Sequence, residues 1–594
     1  MTGSWVPPAI IFLAAALVTP FLRGGVKKFF LLAVPVVAFL NVMNMTEGTA
    51  FTAPFLGHEL VLGSVDRLSL VFGYVFVIMA FAGMLFALHV KGRGEHTAAF
   101  FYVGSSLGVV FAGDMLSLFI FWEAMALASA YLIWGRGTRA SQFAGLRYLV
   151  VHFSGGLLLL FGIVMRYYET GSLAFGYIGL TGLASWLILL GFAVNAAIPP
   201  LSAWLSDSYP ESTVAGTVFL SAYTSKTAVY VLARAFPGAE VLLWAGTIMT
   251  VYGIVYAILE NDMRRILAYS IINQVGFMVA GIGIGTELSL NGTVSHAFAH
   301  ILYKALLMMS GGAVLYMTGK SKCTELGGLY RTMPLTLTFC LVGAASISAF
   351  PLTSGFVSKS MVIAAAGEGH MTVIWLLLTL ASAGVFLHAG IKFPWFVFFA
   401  RDSGLRPKEP PVNMLLAMGF LSFLCIFLGV YPEALYRILP YGVHFEPYTG
   451  SHVVGQLQIL MFSALAFFVM LRYLERTNTI SLDTDWFYRR GTDALAWVVR
   501  QPMGEVEAVL RRAAFERVPG FLTWFSRNPT AALKIGLDSF LLRFAGPGRR
   551  REIRDRIQRE RQVYPGDIIR HWPVGMTVLW IALFLLGYLI IYYA

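Results

Sequence analysis

FIFWEAMALASAYLIW (residues 119–134) has the composition of a membrane-helix interior, and Glu123 interrupts it. The apolar run extends from Asp114 to Trp134, so a carboxylate lies near the middle of a segment able to cross about 30 Å of hydrocarbon. The rest of the chain identifies its solvent. Charged residues make up 12% of the 594, against about 25% in soluble proteins. Hydrophobic residues reach 58% and mean hydropathy is +0.72. These values specify an integral membrane protein. Runs long enough to span recur along the chain, so Trp5–Leu22 reads as one span among many rather than a cleaved signal peptide. Cys323, Cys340 and Cys425 are far apart and match neither a disulfide frame nor an iron–sulfur spacing.

Placing helices on the apolar runs predicts spans near 5–22, 29–45, 68–89, 97–113, 114–134, 148–167, 183–199, 214–233, 240–259, 266–285, 290–317, 333–350, 372–391, 412–430, 455–472 and 574–593. About 16 transmembrane helices result. Lys and Arg collect on the cytoplasmic side of membrane proteins. With the N-terminus outside, the basic clusters fall on one face: Arg23/Lys27/Lys28, Lys91/Arg93, Arg136/Arg139/Arg147, Arg264/Arg265, Lys320/Lys322/Arg331 and Arg401/Arg406/Lys408. The opposite loops, such as 46–66 and 431–454, are poor in them.

Two stretches resist this scheme. PLTSGFVSKSMVIAAAG (351–367) is too short to cross and opens with Pro351 and Gly355, as a re-entrant or broken helix does. IPPLSAWLSDSYPES (198–212) is punctuated by Pro199, Pro200 and Pro210. Paired breaks in similar halves of a chain suggest an internally repeated transporter architecture. Beyond residue 475 the character changes: 476–571 holds 18 Lys and Arg against 11 Asp and Glu, contributing +7 of the net +12. PMGEVEAVLRRAAFERVPGFLTWF and NPTAALKIGLDSFLLRFAG mix apolar and basic positions at helical spacing, which predicts helices lying along a membrane surface; a simple linker is the plainer reading. GRRREIRDRIQRERQ (548–562) reads as a solvated or headgroup-facing helix, and nothing in it points to nucleic acid.

Four ionisable residues sit deep in apolar surroundings: Glu123, Lys226, Lys304 and Lys359. Each costs about 2.5–3.5 kcal/mol at a helix centre on insertion scales. Four together approach the net stability of a typical domain, about 5–15 kcal/mol. A buried Glu123–Lys226 pair that only fixes packing is one reading, but it leaves two lysines without an acidic partner. His296, His300 and Lys304 recur at i, i+4, i+8 and so form one stripe of a helix. A metal site is disfavoured because HAFAH lacks a zincin glutamate and a third carboxylate. A haem would need histidines facing each other, with His152 or His388 as candidates. The remaining chemistry is proton transfer, because carboxylates, lysines and histidines change charge near neutral pH once burial and neighbours shift them. Glu123 then reads as one end of a relay coupled to Lys226.

At these residues a family resemblance emerges. FWEAMALASAYLI, PPLSAWLSDSYPE followed by SKTAVYVLAR, NDMRRILAYSIINQVGFM, HAFAHILYKALL and SAFPLTSGFVSK resemble, in this order, the antiporter-like subunits shared by respiratory complex I and Mrp-type sodium/proton antiporters. The resemblance covers about residues 65–400. It implies an all-α polytopic fold of two inverted five-helix repeats, each with a broken helix, around a hydrophilic axis at the membrane midplane. It also implies that Glu123, Lys226, Lys304 and Lys359 form the proton relay, with His296 and His300 on the motif's histidine positions. Asn195 stands where one branch of the family carries its lysine, just before the PLxxWL element. Lys226 instead resembles the lysine of the D-type Mrp protein or of the middle complex I antiporter subunit, and Lys359 favours the D type, whereas LDTDWFYRR and the terminal span resemble the lateral helix of the largest complex I subunit. The 240–259 span holds no Lys or His, so Tyr252 or Tyr256 with water is the candidate bridge between halves.

The expected organisation is N-terminal transmembrane helices (1–96), a first repeat (97–260), a second repeat (261–400), C-terminal transmembrane helices (401–475), a basic amphipathic cytoplasmic or interfacial segment (476–571) and a terminal span (572–594). The resemblance implies a proton-translocating subunit of a hetero-oligomer in a prokaryotic plasma (inner) membrane, most like the D-type Mrp protein. It would move protons, with Na+ as the candidate counter-ion, beside other membrane subunits. Alternatives are a proton-pumping subunit of a complex I-like NADH-quinone oxidoreductase or membrane-bound hydrogenase, and a haem- or quinone-binding redox subunit. No nucleotide-binding signature, metal or cofactor site is legible, so the chain reads as a translocase subunit if its host is an oxidoreductase.

Overall fold

The computed structural model describes residues 5–474 except Leu56, then Asp483, Thr484, Trp486, Arg490, Gly491 and Trp497, and finally 516–564 and 574–593. Its contacts divide the chain into two units, 1–486 and 487–594. In the first unit, α1 (Pro8–Val18) and α2 (Gly24–Met43) lead into a hairpin of β1 (Gly48–Phe55) and β2 (His58–Val65). The strands pair antiparallel from Gly48↔Val65 to Phe55↔His58, with Gly57 supplying the positive φ of a tight turn. This two-stranded hairpin is an addition to an otherwise all-α architecture. The stretch reads as a loop when only spans are sought, because it is too short to cross, yet its alternating small and β-branched residues suit a ribbon.

There follow α3 (Arg67–Ala87), α4 (Gly94–Phe111), α5 (Met115–Trp134), α6 (Arg139–Thr170), α7 (Leu183–Asn195), α8 (Ala203–Ser208), α9 (Val214–Ala222), α10 (Thr224–Ala235), α11 (Glu240–Leu259), α12 (Met263–Ile284) and α13 (Glu287–Thr318). Then come α14 (Pro334–Ile347), α15 (Ser354–Glu368), α16 (Thr372–Val385, continued to Phe399 by wide π turns), α17 (Val412–Val430), α18 (Glu433–Tyr436) and α19 (Gly450–Val469). Ten of the described helices are long and apolar enough to cross a membrane. The chain is therefore a multi-pass, predominantly helical membrane protein.

The bundle is organised around α12 and α13. The apolar window of α12 is wholly buried, and α13 is buried without a break from Ser289 to Val314. Both are enclosed by other helices, so their polar side chains face protein rather than lipid. Lipid-side residues are the exposed apolar ones of α2, α6, α17 and α19.

The sequence boundaries shift in informative places. Run 214–233 is two helices broken at Tyr223 rather than one continuous helix. The 333–350 span and the 351–367 piece are α14 and α15, two half-helices separated by 348–353. At 1.5 Å per residue, 14 residues of α14 reach about 21 Å and cannot cross alone. Two basic-loop residues also lie inside the fold. Arg147 sits on α6, paired with Asp207, and Arg264 is buried, donating to the carbonyls of Tyr209, Pro210, Ser212 and Thr213.

In the second unit, α20 (Val518–Arg527), α21 (Pro529–Phe544) and α22 (Pro547–Val563) precede the apolar α23 (Val574–Tyr593). The basic run is helical as predicted, and its Ile553 and Ile557 pack with Ile535 of α21. Lys534–Glu560 and Arg556–Asp538 pairs join the same two helices. Residues 475–482, 502–515 and 565–573, parts of the expected interfacial segment, lie outside the described residues.

Candidate functional site

The two interrupted helices use one backbone plan. After α7, Ala196, Ala197 and Ile198 donate their N–H groups to Phe192, Val194 and Ala193, and Leu201 donates to Ile198. After α14, Ser348, Ala349 and Phe350 donate to Ala344, Ser346 and Ala345, and Thr353 donates to Phe350. Ala197 and Ala349 both take φ of 57°, a left-handed conformation rare for a residue with a side chain. Each break thus engages its last amides in the same way. It leaves helix-terminal carbonyls without their own helical partners.

Buried lysines meet such carbonyls. Lys359 on α15 donates to the carbonyl of Ile347, the last residue of α14, at 3.1 Å, and its ammonium stands 5.4 Å from the Phe277 ring centre. Lys226 on α10 donates to the carbonyl of Ser221 on α9 at 2.6 Å and to Ser225 Oγ at 3.1 Å. No Gly or Pro marks this third break, between α9 and α10. Instead, the freed N–H of Thr224 donates to the Tyr102 hydroxyl at 2.9 Å, so α4 and Lys226 satisfy both sides of the interruption. The negative end of each half-helix favours the positive charge.

From Lys359 the polar groups continue along α13. Ser358 Oγ lies 3.4 Å from His296 Nδ1. The His296 and His300 ring centres are 6.2 Å apart, and that of Tyr303 is 5.3 Å from His300. Lys304 is fully buried, and its Nζ has no hydrogen-bond partner among the described residues; neither ring nitrogen of His300 has one. Lys226 is close enough for its charge to act on His296, His300 and Lys304, because α10 packs against α13. Direct packing of α10 on α13 therefore brings Lys226 to the α13 stripe, without Tyr252 or Tyr256 of α11.

Glu123 lies apart. Its carboxylate rests over Gly156 of α6, Oε1 has no partner among the described residues, and it forms no ion pair with Lys226. Between them run groups that carry no charge in the sequence pattern. Tyr148, His152 and Gly156 recur at i, i+4, i+8 on α6, a spacing visible in YLVVHFSGG. His152 stacks on Tyr148 with ring centres 3.9 Å apart, and its Nε2 has no partner among the described residues. The Tyr148 hydroxyl meets Ser129 of α5 at 2.8 Å and Thr224 at 3.5 Å, two residues before Lys226. Hydroxyls and an imidazole thus stand on α6 between Gly156, where Glu123 rests, and Thr224 at the α9–α10 break. His388, the other histidine weighed for haem, is buried just beyond Val385 in the π-turn continuation of α16, with Nδ1 on the Gly384 carbonyl.

The arrangement is suited to moving protons and unsuited to holding a fixed charge. Ammonium groups capped by single carbonyls, and imidazoles without fixed partners, accept and release protons with little rearrangement.

Comparison with known proteins points the same way. The family described as NADH:quinone oxidoreductase/Mrp antiporter, TM, matches residues 112–384. The chain is 32% identical over 363 residues to the D-type protein of the Na(+)/H(+) antiporter of Alkalihalophilus pseudofirmus, covering 57% of this chain and 73% of that protein. It is 29% identical over 411 residues to the A/B-type protein of a probable K(+)/H(+) antiporter of Rhizobium meliloti. That match covers 64% of this chain but only 41% of that longer protein. The fold is similar to one component of the Mrp complex from Dietzia sp., with a TM-score of 0.72 at 22% identity, covering 91% of this chain and 63% of that one.

Proposed function

We propose a proton-translocating role, within a complex of several membrane subunits, for this chain, which belongs to the antiporter-like membrane-protein family of Mrp antiporters and NADH:quinone oxidoreductase proton-pumping modules. The carrying observation is the line Lys359–Ser358–His296–His300–Lys304, with Lys226 in electrostatic reach, buried between half-helix ends. In this reading Glu123, Lys226, Lys304 and Lys359 exchange protons, and His296 and His300 connect the lysines of the second half. His152, Tyr148 and Thr224 connect Glu123 to Lys226.

Six further crossings join the ten long helices: α1, α4, α7 with α8, α9 with α10, α14 with α15, and α23. The count is then sixteen. The shared plan of the α7 and α14 breaks supports two internal repeats, 97–260 and 261–400, flanked by helices at 1–96 and 401–475, with 476–571 and 572–594 as the lateral and terminal pieces. The basic loops support an N-terminus outside the cell. The host is an Mrp-type antiporter in which this chain takes the D-type place, exchanging protons for Na+, with its partner subunits gating the relay.

The test is reconstitution of the chain alone and with its co-purifying subunits in vesicles holding a pH-sensitive dye. A sodium-driven pH change in the assembly, absent in the lone chain, is the expected result. Proton movement driven only by an electron donor would move the host to a complex I-like oxidoreductase or hydrogenase, and robust exchange by the lone chain would refute its dependence on partners.

A further inference from the structure

Asp483, beyond α19 in the chain, is a carboxylate buried against the bundle. Asp483 is 5% exposed. Tyr269 of α12 donates to its Oδ2 at 2.7 Å, Ser206 of α8 reaches the same oxygen at 3.3 Å, and Tyr252 of α11 donates to Oδ1. Three helices therefore aim a hydroxyl at one side chain. Among the described residues no Lys or Arg pairs with it. The charged groups of the packed elements are engaged elsewhere: Arg147 of α6 with Asp207 of α8 at 2.7 Å, and Arg265 of α12 with Glu260 at 3.1 Å. Among the described residues, Tyr256 of α11, which stacks on Tyr269, is a further titratable neighbour.

A carboxylate held by hydroxyls and by the N–H of Thr484, which donates to Oδ1 at 2.6 Å, differs from one held by arginine. An arginine keeps its partner ionised, because the guanidinium does not give up its proton. Phenols and serine donate to the ionised form but can turn and accept from the neutral one. The position suits proton uptake. Tyr252 lies seven residues from the end of α11, and Tyr269 six from the start of α12, both ends on the basic-loop face. This is a depth of about 10 Å. At the end of α7, the start of α8 and on α10, the helix of Lys226, lie buried polar atoms without partners among the described residues: both amide atoms of Asn195, Ser202 Oγ and Thr227 Oγ1. Buried polar atoms of this kind are satisfied by water or by passing protons.

We propose that Asp483 is the proton-collecting carboxylate of the basic-loop face, taking protons from the aqueous side and handing them through Ser206 towards Lys226. One carboxylate oxygen binds the arriving proton. The resulting carboxyl donates to the serine oxygen as the serine releases its own proton inward, and rotation of the hydroxyl restores the starting state. The inference rests on the relay reading above, and it gives the region after α19 a chemical role in addition to a tethering one.

The experiment joins infrared difference spectroscopy of the purified complex, compared at rest and under a sodium gradient, with proton flux in vesicles. A carboxylic-acid band that appears under turnover is expected and Asp483→Asn removes it, together with a flux loss of about a hundredfold, an ordinary contribution of one positioned acid–base group. Asp483→Glu should retain part of the flux. No spectral difference between wild type and Asp483→Asn overturns the proposal, as does unchanged flux in that variant. If Asp483→Asn fails to accumulate, Tyr252→Phe with Tyr269→Phe keeps the carboxylate but strips its donors; an unmoved band then overturns the assignment. A band present in a wild-type complex that moves no protons under any driving force would sink the relay reading while leaving Asp483 a protonatable site.

Discussion

Gly156→Ala is the sharpest test of the Glu123 geometry. A Cβ at position 156 would lie 1.8 Å from Glu123 Oε1 and 2.8 Å from its carboxyl carbon. Nonbonded heavy atoms settle at about 3.5 Å, so the methyl drives the carboxylate off its position by roughly 1.5–2 Å. Glutamate is long and this one is only partly buried, so the side chain swings before the helices part. The folding cost stays within the about 1–3 kcal/mol of ordinary overpacking. Function is more sensitive, because a misplacement of about 1 Å at a reacting group can cost about a hundredfold in rate. The expected outcome is normal accumulation, a modest fall in Tm and a flux lowered about a hundredfold in dye-loaded vesicles. Gly155→Ala is the control. Its methyl meets the Val194 side chain at 3.0–3.1 Å, an equal addition to packing aimed away from Glu123. If Gly156→Ala conducts as wild type, or both variants lose flux equally, the carboxylate's position is not what matters.

Glu123→Gln, which keeps shape and loses charge, should assemble normally and show no coupled transport in the same vesicles; normal pumping by this variant would remove Glu123 from the relay. Lys304→Arg should conduct no better than Lys304→Ala, since arginine does not release its proton in this range; normal flux in the arginine variant would show that a fixed charge suffices. His300→Ala should slow transport without stopping it, because water can enter between His296 and Lys304, and a complete block would make the imidazole obligatory. Arg147→Ala should destabilise the chain, read as a lower Tm, by removing the bidentate pair with Asp207, and an unchanged Tm would show that the pair contributes nothing.

The candidate relay residues are legible because hydrocarbon makes charge expensive. Glu123, Lys226, Lys304 and Lys359 stand out in any apolar run, and the i, i+4, i+8 spacing of His296, His300 and Lys304 is a property of one helix. Tyr148 and His152 carry the same spacing but no isolated charge, so nothing in the run singles them out. Arg147 and Arg264 read as loop residues when loop position is judged by charge alone. Their carboxylate and carbonyl partners lie 51 to 60 residues away along the chain. The hairpin at 48–65 escapes a sequence scanned for spans, because such a scan gives no weight to short alternating segments.

By itself the sequence determined the solvent of this chain, the places of its apolar runs and the residues whose burial demands a use. These follow from composition and one-dimensional period, which report on water and lipid. Only the tertiary structure decided which groups meet. The break at Tyr223 exists because Tyr102 of α4 and the Lys226 side chain satisfy the two backbone groups it frees, not because of a local Gly or Pro. Likewise, Asp483 is a surface residue by composition and a core residue by contact, because α8, α11 and α12 converge their hydroxyls on it. A hydrogen bond between distant helices depends on which faces pack together, and that information is carried by the whole fold rather than by any segment of it.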